Sequence, residues 1–228
     1  MRIFLDSTNT GEIKEALSYG LINGVMTNAC HSTYSSKDDF FVQVEEIIKI
    51  CSIADLPVMI DVITDQASDI VMQVIDMSRQ LNYNFLVFKI PIGFEMLKPI
   101  RSLNQREGIH LNIHCCVNTT QMQCAAITGA HYVSLSYADA QEQQDDNNPY
   151  QLPAGGAVLR TKSFIYHNKL QCHVVADNLA TPEQVGDAWS SGADLVVVSY
   201  DLLKQLINHD KTKDIIQKYR QRFQKWTT

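Results

Sequence analysis

The feature that most constrains the fold is a repeated unit in which a short apolar run is followed by an amphipathic segment. Eight such units follow one another along the 228-residue chain, at an interval of about 25 residues. The apolar runs do not alternate with polar residues, which is typical of parallel strands buried on both faces. No linker or shift of composition marks a domain boundary. The sequence therefore predicts an α/β fold, a single (β/α)8 TIM barrel over residues 1–228 with an extra C-terminal helix.

The strands and helices of this barrel can be placed from apolar runs and capping residues. The predicted strands cover residues 2–5, 24–28, 57–62, 85–91, 110–117, 131–137, 172–176 and 194–199. Pro99 weakens the helix expected over 95–105. Residues 138–154 read as a long polar loop, and residues 211–228 contain the extra amphipathic helix.

One predicted strand, Phe85–Pro91, carries a single charged side chain, Lys89. Pro91 cannot donate to a sheet ladder, so Lys89 is the last side chain of an otherwise apolar strand. An ammonium group buried without a partner tends to lose its proton, and a neutral amine can condense with a carbonyl to a Schiff base. The alternative is a strand-end lysine that extends to water.

Polar residues stand at the carboxyl ends of the other predicted strands, which is the end where (β/α)8 barrels carry their active sites. These residues are Asp6, Asn28, Asp61, His114, Ser134, Ser136 and Asp177. Each of them alone could serve only to cap a turn. Together they predict a polar ring around Lys89, which favours the Schiff-base interpretation.

Composition excludes several other classes of protein. The net charge of −6, without a cluster of Lys and Arg interleaved with aromatics, predicts no nucleic-acid partner. No apolar stretch approaches the length of a membrane span, so no membrane partner is expected. Met1–Leu5 runs directly into Asp6, which predicts no signal peptide, and the six cysteines show neither CxxC nor zinc spacing. We expect a reduced, cytoplasmic protein without a metal.

Several short motifs resemble the small transaldolase / fructose-6-phosphate aldolase family. They are Phe4-Leu5-Asp6-Ser7, Gly24-Val25-Met26-Thr27-Asn28, Val87-Phe88-Lys89-Ile90-Pro91, Thr119-Thr120-Gln121 and Gly192-Ala193-Asp194. They follow the family's order and spacing and cover nearly the whole chain.

The resemblance implies a class I mechanism. Lys89 falls on the Schiff-base lysine, Asp6 on the proton-transfer aspartate and Asn28 on the asparagine that binds substrate hydroxyls. It implies no organic cofactor, because the lysine itself is the electron sink. It also implies a homo-oligomer, a pentamer or decamer, in which the helix within 211–228 packs on a neighbouring subunit.

Two departures from the family pattern concern proton transfer. Asp61 stands where the family has glutamate or glutamine, and His114 where a threonine helps to hold a catalytic water. Histidine is itself a general acid or base near neutral pH, so direct transfer would replace the water relay. The alternative is that His114 is a structural residue, a polar side chain that packs inside the barrel and hydrogen-bonds to a neighbour.

Two further departures concern phosphate binding, since the family's arginine aligns with Asp139 and its serine with Asp177. A carboxylate about 6 Å from a phosphate charge costs on the order of 3 kcal/mol per charge pair at an effective dielectric near 20. We therefore expect an unphosphorylated substrate, with amine-bearing compounds among the candidates. Arg160 or Lys162 could rebuild an anion site.

The predicted catalytic residues are Lys89, Asp6, His114 and Asp61. The predicted substrate-binding residues are Asn28, Thr27, Ser134, Ser136, Tyr137, Asp139, Asp177 and Ser199. The predicted function is an aldolase- or transaldolase-like enzyme that forms or cleaves a C–C bond in a small carbonyl compound. Two alternatives stay open: an imine-dependent cyclisation, dehydration or condensation in specialised metabolism, and a catalytically silent ligand-binding barrel.

Overall fold

Eight parallel strands form a closed barrel in which each strand pairs with the next and the last pairs with the first. The computed structural model describes residues 1–27, 36–62, 64, 66–142, 152–224 and 226. The strands are β1 (Arg2–Asp6), β2 (Val25–Met26), β3 (Val58–Asp61), β4 (Leu86–Pro91), β5 (His110–Cys116), β6 (Tyr132–Ser136), β7 (His173–Asp177) and β8 (Leu195–Ser199). The predicted (β/α)8 TIM barrel is confirmed.

Helices cover the outside of the barrel, and short capping side chains start several of them. Within the described ranges they are α1 (Thr10–Ser18), α2 (Lys37–Cys51), α3 (Ala67–Leu81), α4 (Leu97–Asn104), α5 (Thr119–Ile127), α6 (Tyr137–Glu142), α7 (Ala154–His167), α8 (Pro182–Ser190), α9 (Tyr200–Ile207) and α10 (Asp210–Gln224). The side-chain oxygens of Ser36, Asn118 and Thr181 each accept the backbone N–H three residues further on. These caps satisfy donors that have no partner within the helix.

The barrel encloses an apolar core of its own, separate from the core between strands and helices. It consists of Phe4, Met26, Met59, Val87, Val175, Leu195 and Val197. Gly24 is required beside it, because a Cβ at that position would lie 2.5 Å from the ring of Phe4. Alternate residues of a strand share a face, so the residue two positions beyond Val87, which is Lys89, also points into the barrel, towards its C-terminal end.

The structure corrects two of the predicted boundaries. The polar loop predicted over 138–154 is wrong in its first part, where Tyr137–Glu142 forms α6. The reason is an anchor at the start of this helix: Tyr137 is 1% exposed and its hydroxyl donates to Asp187 in α8. Within the described part of the strand predicted over 24–28, which ends at Thr27, the strand is the two residues of β2.

The predicted C-terminal helix is present as α10, and every residue of it is exposed. No helix in the described part of the chain is both long enough and apolar enough to cross a membrane.

Candidate active site

Lys89 is buried near the C-terminal end of the barrel, with only 3% of its surface exposed. Its Nζ lies 2.9 Å from Asp61 Oδ1 and donates to the backbone carbonyl oxygen of Thr27 at 2.6 Å. Asp61 is the residue paired with Lys89 in the register of β3 and β4. The buried ammonium group of Lys89 therefore has two acceptors beside it. The two acceptors orient the amine, and Asp61 is within hydrogen-bond reach to take a proton from it.

His114 stands on β5 beside the end of β4, where its register partner is Pro91. Burial lowers the pKa of His114 to about 4, helped by the charge of Lys89 and opposed by that of Asp61. The imidazole is therefore neutral at neutral pH and can accept a proton. Its Nδ1 lies 3.2 Å from the Sγ of Cys115, an exposed residue with a φ of 61° where the register of β5 shifts.

Asp177 ends β7 and interacts electrostatically with the groups around Lys89. Burial, together with the charges of Asp6 and Asp139 and against the opposing charge of Lys89, raises the pKa of Asp177 to about 7. A carboxyl with this pKa exists in both protonation states near neutral pH. It can therefore donate as well as accept a proton.

The fully buried Asn112 is a site residue that the sequence analysis missed. It is the register partner of Lys89 on β5. Its Oδ1 accepts the Ser134 hydroxyl at 2.8 Å and its Nδ2 lies 3.6 Å from Met59 Sδ. A signal was present, because Asn112 lies two residues before His114 and so shares its inward face.

Asp139, in the first turn of α6, belongs to a hydrogen-bonded group with Ser136 and Asn178. Its Oδ2 accepts the Ser136 hydroxyl and the Asn178 amide, the latter at 3.0 Å. Asn178 has a φ of 52°, a conformation that asparagine tolerates better than most residues. The predicted residues Ser136 and Asp139 are thus brought together at the end of β6, and Asn178 was missed.

Other predicted site residues use their side chains elsewhere. Tyr137 faces the helical layer, where its hydroxyl donates to Asp187, so the structure does not bring this hydroxyl to the residues around Lys89. The hydroxyl of Thr27 donates to Met59 O at 3.3 Å, and only its carbonyl reaches Lys89. Ser199 is the register partner of Asp6, yet its Oγ accepts the N–H of Leu202 in the first turn of α9 at 3.2 Å. Asn28 lies outside the described residues.

The predicted replacement anion site is not formed by Lys162. Its ammonium pairs with Asp194, which immediately precedes β8 and so lies at the N-terminal end of the barrel, opposite Lys89. Arg160 is exposed on α7. Within the described ranges, no group of three or more His, Cys, Asp or Glu residues is arranged to hold a metal ion.

The raised pKa of Asp177 predicts a pH-dependent stability. An aspartate has an unfolded pKa near 4, so ionising Asp177 destabilises the folded state increasingly from about pH 4 to about pH 7. Asp177→Asn removes this penalty, and we expect a free energy of unfolding about 2 to 4 kcal/mol above wild type at pH 8 but not at pH 4. Thermal melts at one protein concentration, at pH 8 and at pH 4, measure this difference in the free energy of unfolding. The exposed Asp201→Asn is the control, and an equal effect at both pH values would contradict the prediction.

Comparison with known proteins decides the family. The family model described as Transaldolase/Fructose-6-phosphate aldolase matches residues 3–228. The chain belongs to this family. A probable transaldolase of Thermodesulfovibrio yellowstonii is 31% identical over 220 residues, 96% of either chain. One from Thermoplasma volcanium is 32% identical over 218 residues, 94% of this chain and 91% of the relative.

Membership of the transaldolase/fructose-6-phosphate aldolase family makes this chain an enzyme of the aldolase or transferase type, which forms or cleaves C–C bonds in small carbonyl compounds. Lys89, Asp61, His114 and Asp177 meet at the C-terminal end of the barrel strands, where enzymes with this fold carry their active sites.

Proposed function

We propose that this enzyme forms or cleaves a C–C bond through a Schiff base on Lys89, and that its substrate is a small unphosphorylated carbonyl compound. The observation that carries the proposal is the buried Lys89 amine, held between the carboxylate of Asp61 and the carbonyl of Thr27. A lysine in such a site is pre-positioned for attack on a substrate carbonyl, because its Nζ has one defined location.

The proposed reaction needs a proton acceptor and a proton donor around the amine. Lys89 passes a proton to Asp61 and its nitrogen attacks the carbonyl carbon to give a carbinolamine. Protonation of the carbinolamine hydroxyl, by Asp6 or Asp177, releases water and leaves an iminium ion. Neutral His114 then removes the proton of the substrate's β-hydroxyl. The C–C bond breaks, and its electron pair moves to the iminium to form an enamine. Bond formation runs the same steps in reverse.

The charges of the site support an unphosphorylated substrate. Asp6, Asp61, Asp139 and Asp177 are all within electrostatic range of one another or of Lys89. A phosphate dianion would be repelled by the carboxylates that Lys89 does not neutralise. Substrate hydroxyls or an amine can instead donate hydrogen bonds to these carboxylates.

A second candidate is an imine-dependent cyclisation, dehydration or condensation. It is favoured by the placement of His114 beside Lys89 and Asp61, where the family pattern has a threonine. Product analysis separates the two, because simple retro-aldol cleavage would argue against the second candidate.

Borohydride trapping with peptide mapping tests the proposal. The enzyme is incubated with hydroxyketones, sugars and aminoaldehydes, with and without phosphate, and is then reduced. An adduct on Lys89 from unphosphorylated compounds supports the proposal. Adducts from sugar phosphates alone would contradict the substrate class, and no adduct from any compound would favour the catalytically silent barrel.

His114→Ala tests the assignment of the base. We expect the Lys89 adduct to remain detectable, because Lys89 and Asp61 are unchanged, while turnover falls by about 10²-fold or more. Single-turnover kinetics on a substrate found by trapping measure the two steps separately. The exposed His167→Ala on α7 is the control, and unchanged turnover of His114→Ala would exclude the role.

We also propose that the enzyme is a homo-oligomer in which α10 packs on a neighbouring subunit. The helix carries an apolar stripe of Ile215, Ile216, Tyr219 and Phe223, whose exposed fractions are 51%, 45%, 66% and 65%. These positions recur at helical spacing, and none of them is buried by the part of the chain that the structure describes. An exposed apolar stripe of this kind marks an interaction surface.

Charge on the stripe of α10 is expected to disrupt the assembly. Ile215→Glu combined with Phe223→Glu should reduce the mass of the particle to that of a single chain, because two carboxylates cannot be buried in an apolar interface without partners. Light scattering after size exclusion measures the mass. Gln221→Glu, on the opposite side of the helix, should leave it unchanged. An assembly that survives the double substitution would contradict the proposal.

A further inference from the structure

Two consecutive residues of β5, His114 and Cys115, place their side chains in contact, although a regular strand would hold them apart. The Nδ1 of His114 lies 3.2 Å from the Sγ of Cys115. Successive side chains of a strand point to opposite faces of the sheet, so an adjacent pair does not normally meet. The contact therefore depends on a departure from regular strand geometry.

That departure is a left-handed backbone conformation at Cys115, with a φ of 61°. It coincides with a shift in the register of β5 and β6 between Ile113 and Cys116. Irregularities of this kind re-aim side chains and are common beside active sites. Glycine adopts a positive φ without steric cost, whereas a residue with a Cβ is strained there. A strained cysteine beside the candidate active site points to a function of its side chain.

The contact decides which ring nitrogen of His114 can react. The sulfur of Cys115 occupies Nδ1, which leaves Nε2 for the substrate. Burial and the charge of Lys89 lower the pKa of His114 to about 4, although the charge of Asp61 opposes this, so the ring is neutral at neutral pH. A neutral imidazole carries hydrogen on one nitrogen and accepts at the other. As a base, His114 must therefore accept at Nε2 and carry its hydrogen on Nδ1.

We propose that Cys115 is a positioning residue for His114: its sulfur accepts the Nδ1–H, orients the ring and keeps the lone pair on Nε2. The inference rests on the proposed function, in which His114 is the base. When the β-hydroxyl of the substrate gives its proton to Nε2, the O–H bond breaks, an N–H bond forms and the electron pair stays on the oxygen. The sulfur gains and loses no proton in this step.

The hydrogen bond to the sulfur contributes most while His114 holds the substrate proton. The ring is then an imidazolium, and its Nδ1–H is a charged donor, which makes a stronger hydrogen bond than a neutral one. An interaction that strengthens as the proton moves accelerates the step instead of only holding the ring in place. Loss of the sulfur is therefore expected to affect turnover more than substrate binding.

The tautomer of His114 tests the proposal without any substrate. Solid-state NMR of the sedimented enzyme, isotopically labelled at its histidine nitrogens, distinguishes an Nδ1–H from an Nε2–H by chemical shift. The signals of His114, one of seven histidines, are those that disappear in His114→Gln. We expect Nδ1–H in wild type and in the exposed control Cys124→Ala on α5. Cys115→Ala should change it to Nε2–H, the more stable form of a free imidazole.

Turnover of a compound that is trapped on Lys89 measures the consequence for the reaction. Cys115→Ala should lower kcat by about tenfold without a matching change in KM, because the lost hydrogen bond acts in the transition state. Cys115→Ser keeps an acceptor and should restore most of this loss. In the His114→Ala background, Cys115→Ala should change kcat by less than about twofold, since the ring on which the sulfur acts is absent.

Cys115→Gly separates positioning from a structural role. Glycine relieves the strain of the positive φ, so we expect a melting temperature equal to or above that of wild type, while kcat falls as in Cys115→Ala. A purely structural role would instead lower the melting temperature and kcat together. Cys115→Gly also keeps the NMR test valid where Cys115→Ala folds poorly.

Three results would overturn the proposal. They are an Nε2–H on His114 in wild type, an unchanged tautomer in Cys115→Ala, and a loss of kcat that is equally large in the His114→Ala background. Failure of the proposed function gives different results, namely no adduct on Lys89 or turnover that His114→Ala leaves unchanged. The NMR measurement then still reports whether Cys115 fixes the tautomer of His114.

Discussion

Replacing Lys89 with arginine is expected to abolish borohydride trapping and to reduce turnover by at least about 10⁴-fold. Arginine keeps a positive charge opposite Asp61 but does not give up its proton, so it cannot form an imine. The measurement is peptide mapping of the reduced adduct together with turnover of the compound that wild type traps.

Lys89→Met, measured in the same experiment, separates the loss of the reactive amine from the loss of folding stability. Methionine removes the amine and leaves the Asp61 carboxylate without its cation, which is expected to cost about 3 to 5 kcal/mol of stability. Lys89→Arg should lose activity with far less destabilisation. Lys204→Met, at an exposed ion-paired lysine, is the control and should behave as wild type. Turnover of Lys89→Arg within about tenfold of wild type would exclude the Schiff-base mechanism.

Reversing the charge at the mouth of the barrel is expected to admit sugar phosphates. Asp139→Arg combined with Asp177→Ser places the residues of the resembling family at both positions. It removes two carboxylates that, at about 6 Å, would each oppose a phosphate charge by on the order of 3 kcal/mol, and it supplies a bidentate donor. We expect trapping of sugar phosphates on Lys89 to rise by at least about 10²-fold relative to wild type.

The charge-reversal experiment needs a control for net charge. Asp201→Arg introduces the same kind of cation at an exposed position of α9 and should leave the substrate preference unchanged. Efficient trapping of sugar phosphates by the wild-type enzyme would contradict the argument from Asp139 and Asp177, because a cation not yet identified would then neutralise the phosphate.

The barrel could be predicted because the sequence patterns that indicate its strands and helices are local. Apolar runs and capping residues such as Thr181 and Asn118 report the conformation of their own segments, and eight repeats leave few topologies open. Lys89 could also be singled out, since a lone charge in an apolar strand is visible without knowledge of its neighbours. Helix α6 could not, because its polar sequence resembles a loop and its first residue, Tyr137, is anchored by Asp187, which lies 50 residues further along the chain.

Which side chains of the site contact each other could mostly not be predicted from single segments of the sequence. The pairing of Lys89 with Asp61 depends on the register of β3 and β4, and that of Asn112 with Ser134 on the register of β5 and β6. Register is set by side-chain packing across the whole barrel, which no single segment reports.

The sequence by itself determined the barrel, the position of Lys89 at a strand end and the acidic residues Asp139 and Asp177. Only the tertiary structure decided which atoms meet. It places the carbonyl of Thr27 at the lysine, and it buries Asp177, which raises the pKa of that carboxyl to about 7. The physical reason is that hydrogen bonds and electrostatic interactions depend on distances between segments far apart in the chain, whereas strand and helix formation depends largely on neighbours in sequence.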